Sequence, residues 1–201
     1  MTICTLSGGR MEEQYLKTVE RYTEGEKGRR AVDSFPHAFG ALIAGMENTR
    51  KDLLGDIFEG AITFGENGQF FTPEHVCEMM ARMSVSEDDT GKRIGDPCCG
   101  SGRNLLAAAN VSPQNEFVGQ DVDLRCVQMT AINLALRGLY GWVILGNSLA
   151  FEQRLAYRTG FNGTGFIREA TIEEEPPIPP QHVEAFSGPS EDTPAHQLTL
   201  F

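Results

Sequence analysis

Two carboxylates and two glycines have the spacing in this chain that best suits the binding of a small ligand. Asp96 is followed by Gly100 and Gly102, and Asp121 comes about 20 residues after this glycine turn. Glycine lets the backbone turn tightly and approach a ligand closely. A carboxylate at the spacing of Asp121 can accept hydrogen bonds from the hydroxyl groups of a ribose. Because a lone Gly-x-Gly pattern is a weak signal, the surrounding elements must support this interpretation.

The flanking elements are predicted to bring both carboxylates to one edge of a parallel sheet. Short strands are predicted at 93–95, 117–120 and 142–145, with helices at about 102–109 and 124–136. Strands that alternate with helices imply crossover connections and a parallel sheet. Open α/β sheets bind ligands at the carboxyl ends of their strands, where Asp96 and Asp121 fall. We therefore predict a Rossmann-like α/β domain with a pocket at this edge.

Two further polar residues near the predicted edge each allow two interpretations. The amide of Asn147, in Gly146-Asn147-Ser148 after the third strand, could read the edge of an adenine ring, but asparagine also forms turns. Asp123 could contact the ligand, but it is better suited to cap the helix that begins at Leu124.

These motifs resemble those of adenine-N6 DNA methyltransferases, specifically the modification subunits of type I restriction–modification systems. The 96–102 segment, Asp-Pro-Cys-Cys-Gly-Ser-Gly, looks like the family's Asp-Pro-x-Cys-Gly-x-Gly cofactor motif. The 68–73 segment, Gly-Gln-Phe-Phe-Thr-Pro, resembles its Gly-x-Phe-Tyr-Thr-Pro motif, which closes over the methionine end of the cofactor. Residues 52–59 are similar to the family's approach to that motif, and 119–121 and 146–148 match its ribose and adenine positions.

The resemblance covers about residues 50–150 and implies an S-adenosylmethionine-dependent methyltransferase fold with S-adenosylmethionine as cofactor. Asn147 stands where the family more often has Asp. The residues implied in cofactor binding are Gln69, Phe71, Thr72, Pro73, Asp96, Cys98, Gly100, Gly102, Asp121 and Asn147.

The chain departs from the family at the site for the acceptor base. Such enzymes extrude the adenine and hold it with an Asn/Asp-Pro-Pro-Tyr/Phe motif after the fourth strand, and that motif is absent from this sequence. Glu175-Pro176-Pro177-Ile178 lacks both the amide and the aromatic ring. We therefore name no catalytic residue, and two functions stay open. One is an adenine-N6 DNA methyltransferase completed by a partner chain, and the other is a catalytically inactive accessory protein with the same fold.

The predicted sheet is incomplete, because it ends after the third core strand. A hairpin is predicted at 152–160 and 164–172, joined at Phe161-Asn162-Gly163, since Asn-Gly favours tight turns. Proteins generally cover exposed strand edges. We therefore expect this hairpin, or another chain in a homo- or hetero-oligomer, to cover the edge of the first strand.

Helical patterns precede the predicted sheet. Helices are predicted at 11–22, 35–45 and 51–62, and a further one at 72–83 with Thr72 as cap and Pro73 at its first position. The expected organisation is a helical segment at 1–50, a cofactor-binding core at 51–150, the hairpin at 151–172 and a tail at 173–201.

Charge and composition limit what the chain can bind alone. Its net charge of −11 makes it a poor independent binder of DNA phosphates, so DNA as a partner implies help from another subunit. We expect a cytoplasmic protein with no membrane segment, because no apolar run is long enough to span a bilayer. The five cysteines are expected to be reduced thiols without zinc, since none lies in a Cys-x-x-Cys pair.

The tail ends in a short apolar motif. Residues 173–195 contain six prolines and six acids, which predicts disorder. The final Gln197-Leu198-Thr199-Leu200-Phe201 resembles the peptide Gln-Leu-Ser/Asp-Leu-Phe, by which bacterial proteins dock on the replicative sliding clamp. The resemblance implies clamp binding through Gln197, Leu198, Leu200 and Phe201.

Overall fold

A computed structural model describes residues 1–61 and 71–170, and these residues form a mixed α/β fold. The helices are α1 (Thr2–Leu6), α2 (Glu12–Glu20), α3 (Ala31–Thr49), α4 (Leu53–Ala61), α5 (Glu74–Ser84), α6 (Arg103–Val111) and α7 (Leu124–Leu136). The strands are β1 (Arg93–Asp96), β2 (Glu116–Asp121), β3 (Gly141–Leu145), β4 (Leu155–Phe161) and β5 (Gly165–Ala170). The predicted tail, its clamp-like peptide and Gln69 lie outside the described residues.

The five strands form one sheet in the order β1-β2-β3-β4-β5. Strands β1, β2 and β3 are parallel, as predicted, with Asp96 opposite Gly119 and Asp121 opposite Leu145. The two later strands are antiparallel, so the sheet as a whole is mixed. The parallel part carries Asp96 and Asp121 to the same edge, where both strands end.

The predicted hairpin exists, but the expectation that it covers the edge of β1 is wrong. Strand β4 pairs with β3, with Val143 opposite Tyr157, and β5 extends the sheet further from β1. The connection from β3 to β4 is short, and a short connection joins antiparallel neighbours more readily than it crosses the sheet. Among the described residues, β1 therefore pairs with β2 alone.

The core lies between the sheet and helices α6 and α7. Phe117, Val143 and Tyr157 from the strands pack with Leu105 and Leu134 from the helices, and all five side chains are buried. Helix α6 also buries a run of alanines, and these small side chains let the helix approach the sheet closely. This core holds the carboxyl ends of β1–β3 in fixed positions.

The N-terminal helices differ from their predicted bounds. Helix α3 is longer than the predicted 35–45, and α1 was not predicted because its five residues are too short for a helical period. Thr72 was predicted to cap the next helix, but that prediction is wrong. Helix α5 has Pro73 at its N-cap with no side-chain cap, and the Thr72 carbonyl accepts a hydrogen bond from Arg103 instead. None of the helices in the described ranges is long and apolar enough to cross a membrane.

Candidate functional site

The two carboxylates predicted to face a ligand also hold the loops that shape the site. At the end of β1, Asp96 accepts hydrogen bonds from the Cys98 amide (3.0 Å) and the Asn104 side chain (3.1 Å). At the end of β2, Asp121 accepts from the Gly100 amide through one oxygen and from the Asp123 amide through the other, both at 2.9 Å. Because each carboxylate oxygen can accept two hydrogen bonds, Asp121 keeps acceptor capacity for ribose hydroxyls.

The glycines of the 96–102 turn are required by both backbone geometry and space. Gly100 and Gly102 adopt positive φ angles of 55° and 85°, which other L-residues rarely adopt. A Cβ atom on Gly100 would lie 3.0 Å from the Phe71 ring, and one on Gly102 would lie 3.0 Å from the Thr130 side chain. The turn therefore brings the backbone of the β1–α6 loop directly against Phe71.

The adjacent cysteines of the turn lie in opposite environments. Cys98 is exposed and lines the cleft, whereas Cys99 is buried. Burial raises the pKa of the Cys99 thiol well above its usual value, and nearby Asp121 and Asp96 raise it further. Among the described residues, no group of histidine, cysteine, aspartate or glutamate has the arrangement to hold a metal ion.

At the end of β3, Asn147 shapes a turn. Its side-chain oxygen accepts hydrogen bonds from the amides of Leu149 (3.0 Å) and Ala150 (3.4 Å), which caps a single 3-10 turn at Ser148–Ala150. This geometry fits the turn-forming interpretation of Asn147, while the residue also lines the cleft. Asp123 caps α7 as predicted, because its carboxylate accepts from the Arg125 amide at 2.8 Å.

These residues surround one cleft of about 680 Å³ at the carboxyl ends of β1–β3. Its volume lies within the range of about 300–1,000 Å³ that is common for small-molecule sites. Of the predicted cofactor residues, Pro73 does not line it and Gly102 lies in the adjoining turn. The predicted residues that do line it are Phe71, Thr72, Cys98, Gly100, Asp121 and Asn147, while Asp96 lies below the turn and supports it.

A buried polar cluster behind the cleft was not predicted from the sequence. Asp52 is 4% exposed and accepts hydrogen bonds from Ser101, Arg103 and Asn133. Arg103 reaches from this cluster to the Thr72 carbonyl at 3.2 Å. The only sequence signal for this link was the similarity of the 52–59 segment to the family, which did not indicate a partner for Asp52.

Asn104 is a second residue that sequence reasoning missed. Its amide donates to Asp96, while its side-chain oxygen is buried without a hydrogen-bond partner among the described residues. Asn104 lines the cleft. An unsatisfied buried acceptor is costly, so this oxygen is an unfavourable feature of the structure next to the cleft.

A glycine turn between a strand and a helix, followed by a carboxylate at the end of the next parallel strand, is typical of α/β domains that bind nucleotide-like cofactors. Comparison with known protein families identifies the family to which this domain belongs. The family model described as N-6 DNA Methylase matches residues 49–157. The chain belongs to this family, and the match contains the cleft and the buried cluster behind it.

Two relatives are restriction-enzyme subunits. The Type I restriction enzyme MpnII methylase subunit of Mycoplasma pneumoniae is 28% identical over 104 residues, which are 46% of this chain and 19% of that protein. The Type I restriction enzyme MjaIX methylase subunit of Methanocaldococcus jannaschii is 31% identical over 123 residues, 55% of this chain and 22% of that protein. The chain thus matches about a fifth of the length of these relatives. No solved structure matches this chain.

Proposed function

We propose that this chain binds S-adenosylmethionine in the cleft at the ends of β1–β3 and supplies the cofactor-binding part of an adenine-N6 DNA methyltransferase. The observation that carries the proposal is the convergence of the 96–102 turn, Asp121 and Phe71 on one cleft. Parallel strands β1–β3 with helices α6 and α7 then correspond to the first part of a Rossmann-like methyltransferase fold. Family membership and the names of the two relatives support the same reaction class.

In this proposal each end of the cofactor has its own contacts. Asp121 accepts hydrogen bonds from the ribose hydroxyls, and Asn147, whose oxygen is engaged by the backbone, offers its amide hydrogens to adenine ring nitrogens. Phe71 and Thr72 line the methionine end of the cleft. The bound cofactor supplies the methyl group, and the chain holds and orients it.

Partner chains complete the proposed protein. The sequence lacks the acceptor-base motif, and β1 has an open edge among the described residues. We propose that another subunit pairs with this edge and contributes both the acceptor loop and much of the grip on DNA. The cytoplasmic location expected from the sequence belongs to the same proposal.

Calorimetry with S-adenosylmethionine tests the cofactor site. We expect Asp121→Ala to weaken binding by about 10- to 100-fold, because it removes the ribose acceptor and the partner of the Gly100 amide. Asp88→Ala, which removes a carboxylate from the loop before β1, is the matched control and should bind like the unaltered chain. No binding by the unaltered chain, or equal binding by both variants, would contradict the proposal.

Transfer of tritiated methyl groups to DNA then separates the two functions left open by the sequence. Transfer by the chain, alone or with host lysate, supports the methyltransferase. Cofactor binding without transfer under both conditions supports the inactive accessory protein. Docking on the sliding clamp stays a prediction, and loss of clamp binding on replacing Leu200 and Phe201 by alanine would support it.

A further inference from the structure

The guanidinium of Arg103 is the centre of a polar cluster that joins the glycine turn, α4 and the segment before α5. Arg103 is only 9% exposed, although its side chain borders the cleft. Burial alone would lower its pKa, but the carboxylates of Asp52, Glu59 and Asp56 together raise it. The residue therefore stays charged inside the protein, surrounded by more negative charge than it neutralises.

All five N–H donors of this guanidinium have partners within the protein. Nε donates to Asp52 at 3.2 Å. One terminal nitrogen donates to the Thr72 carbonyl at 3.2 Å and to Glu59 at 3.4 Å, and the other donates to Asp56 at 2.8 Å and to Glu59 at 3.4 Å. A ligand carboxylate would have to displace one of these acceptors, so Arg103 is poorly suited to bind the ligand directly.

The same side chain supports the aromatic part of the cleft. Its guanidinium lies 5.8 Å from the centre of the Phe71 ring, at the distance of a cation–π contact. Phe71 also stacks on Phe58 of α4 at 5.7 Å and lies against Gly100. Arg103 thus holds Phe71 through its ring and Thr72 through its carbonyl.

Asp52 in turn anchors the guanidinium and the turn. One of its oxygens accepts from Ser101 and Arg103, and the other accepts from the Gly55 amide (2.9 Å) and from Asn133 (2.7 Å). Asn133 of α7 also donates to the Ser101 carbonyl at 2.8 Å. A Cβ atom on Gly55 would lie 2.0 Å from the Asp52 carboxylate, so only glycine allows this approach.

We infer that Arg103 is a positioning residue that fixes Phe71 and Thr72 over the methionine end of the cofactor cleft without contacting the cofactor itself. This inference rests on the proposed binding of S-adenosylmethionine. In this inference the Asp52–Arg103 pair sets the geometry of the methionine end of the site, and Asp121 acts at the ribose end.

The inference is tested by calorimetry on the variants Arg103→Lys and Arg103→Gln. The affinity of each variant is measured for three ligands. S-adenosylmethionine should bind about tenfold or more weakly to both variants, because the charge-assisted bond to Thr72 is lost or misdirected. Methylthioadenosine, which lacks the amino-acid part, should lose less than about twofold, since Asp121 is unchanged. Decarboxylated S-adenosylmethionine should show the same loss as the intact cofactor.

Each alternative has its own result. Equal losses for S-adenosylmethionine and methylthioadenosine would show a general structural role and overturn the inference. A loss that disappears with the decarboxylated ligand would show that Arg103 contacts the carboxylate, which also overturns it. Arg93→Gln is the matched control, because Arg93 pairs with the buried Glu116 at the far end of β1 and should leave all three affinities unchanged.

Hydrogen exchange gives a readout that needs no ligand. Backbone amides of residues 71–84 should exchange faster in Arg103→Gln than in Arg93→Gln, and unchanged exchange would contradict the inference. If the Arg103 variants fail to fold, Asp56→Ala with Glu59→Ala removes two partners from the exposed side of the guanidinium and should raise the same exchange rates. If the unaltered chain binds no ligand, the proposed function fails, while the exchange experiment still decides the role of Arg103.

Discussion

The two walls of the cleft differ in the side chains that form them: one rests on buried polar groups, and the other carries exposed apolar groups. The wall formed by α4, Phe71 and the glycine turn rests on the buried Asp52–Arg103 cluster. The wall formed after β2 and β3 carries exposed apolar side chains, with Leu149 91% exposed, and Phe151, two residues further along the chain, is 93% exposed. Buried groups held by several hydrogen bonds give a fixed geometry, whereas exposed apolar side chains gain free energy only when something covers them. The first wall is therefore preorganised by the chain itself, and the second is completed by what binds there.

Removal of the Asp52 carboxylate is expected to have the largest effect on stability, because this group anchors the hydrogen-bonded wall. Asp52→Ala removes the buried acceptor that Arg103, Asn133 and the Gly55 amide share. We expect it to lower the free energy of unfolding by about 3–5 kcal/mol. Asp123→Ala, the same change on the other wall, removes a helix cap and should cost about 1 kcal/mol. Urea unfolding followed by Trp142 fluorescence measures both, and equal losses would mean that the walls do not differ.

A methyl group on Gly100 tests how closely the turn approaches Phe71. Gly100→Ala combines a positive φ angle with a contact of 3.0 Å to the ring, whereas Gly163→Ala has a positive φ angle and open space. The control should lose about 1 kcal/mol of stability from the backbone alone, and Gly100→Ala about 1 kcal/mol more. Cofactor affinity should fall only in Gly100→Ala. A similar loss in both variants would show that Phe71 yields without cost.

Thiol labelling separates the exposed and buried sides of the turn. Cys98 is exposed, whereas Cys99 is buried and has a pKa raised well above its usual value, so little of it is thiolate at pH 8. We expect iodoacetamide to modify Cys98 at least about tenfold faster than Cys99 in the folded protein. Peptide mass spectrometry gives both rates, and comparable rates would indicate that the turn opens readily.

The smallest effect is expected on the exposed wall. Phe151 has a left-handed backbone conformation with φ of 53°, which glycine adopts at less cost. Phe151→Gly should therefore raise the free energy of unfolding by about 0.5 kcal/mol. A clear loss of stability in the same urea assay would show that the ring already packs against the chain.

Local patterns predicted most of the elements around the cleft. The helix at 124–136 was predicted with the observed bounds, and the strand ends that carry Asp96 and Asp121 were predicted from the glycine turn and the order of strands and helices around it. These features depend on neighbours within a few residues, and such dependence is visible in a sequence.

Long-range contacts could not be predicted in the same way. Asp52 meets Ser101, Arg103 and Asn133, which lie 49, 51 and 81 residues away in the chain, and no local period links these positions. The pairing of β4 with β3 depended on which sheet edge the hairpin reaches, and the signal for it was the short connection after β3 rather than the residues of the hairpin. Thr72 had the side chain of a helix cap, but its carbonyl is engaged by Arg103 from another element.

The strand order has a consequence for how the chain folds. Each strand pairs with the one that follows it in the sequence, so no step of sheet assembly closes more than one helical crossover. Such a sheet can grow strand by strand as the chain leaves the ribosome, and folding should be rapid for a mixed α/β protein. Asp52 is the exception, because its carboxylate is synthesised early and stays hydrated until Asn133 of α7 arrives to complete its shell. Closure of the wall formed by α4, Phe71 and the glycine turn should therefore require α7, which precedes β3, β4 and β5 in the chain, and should be measurable as a step separate from completion of the sheet.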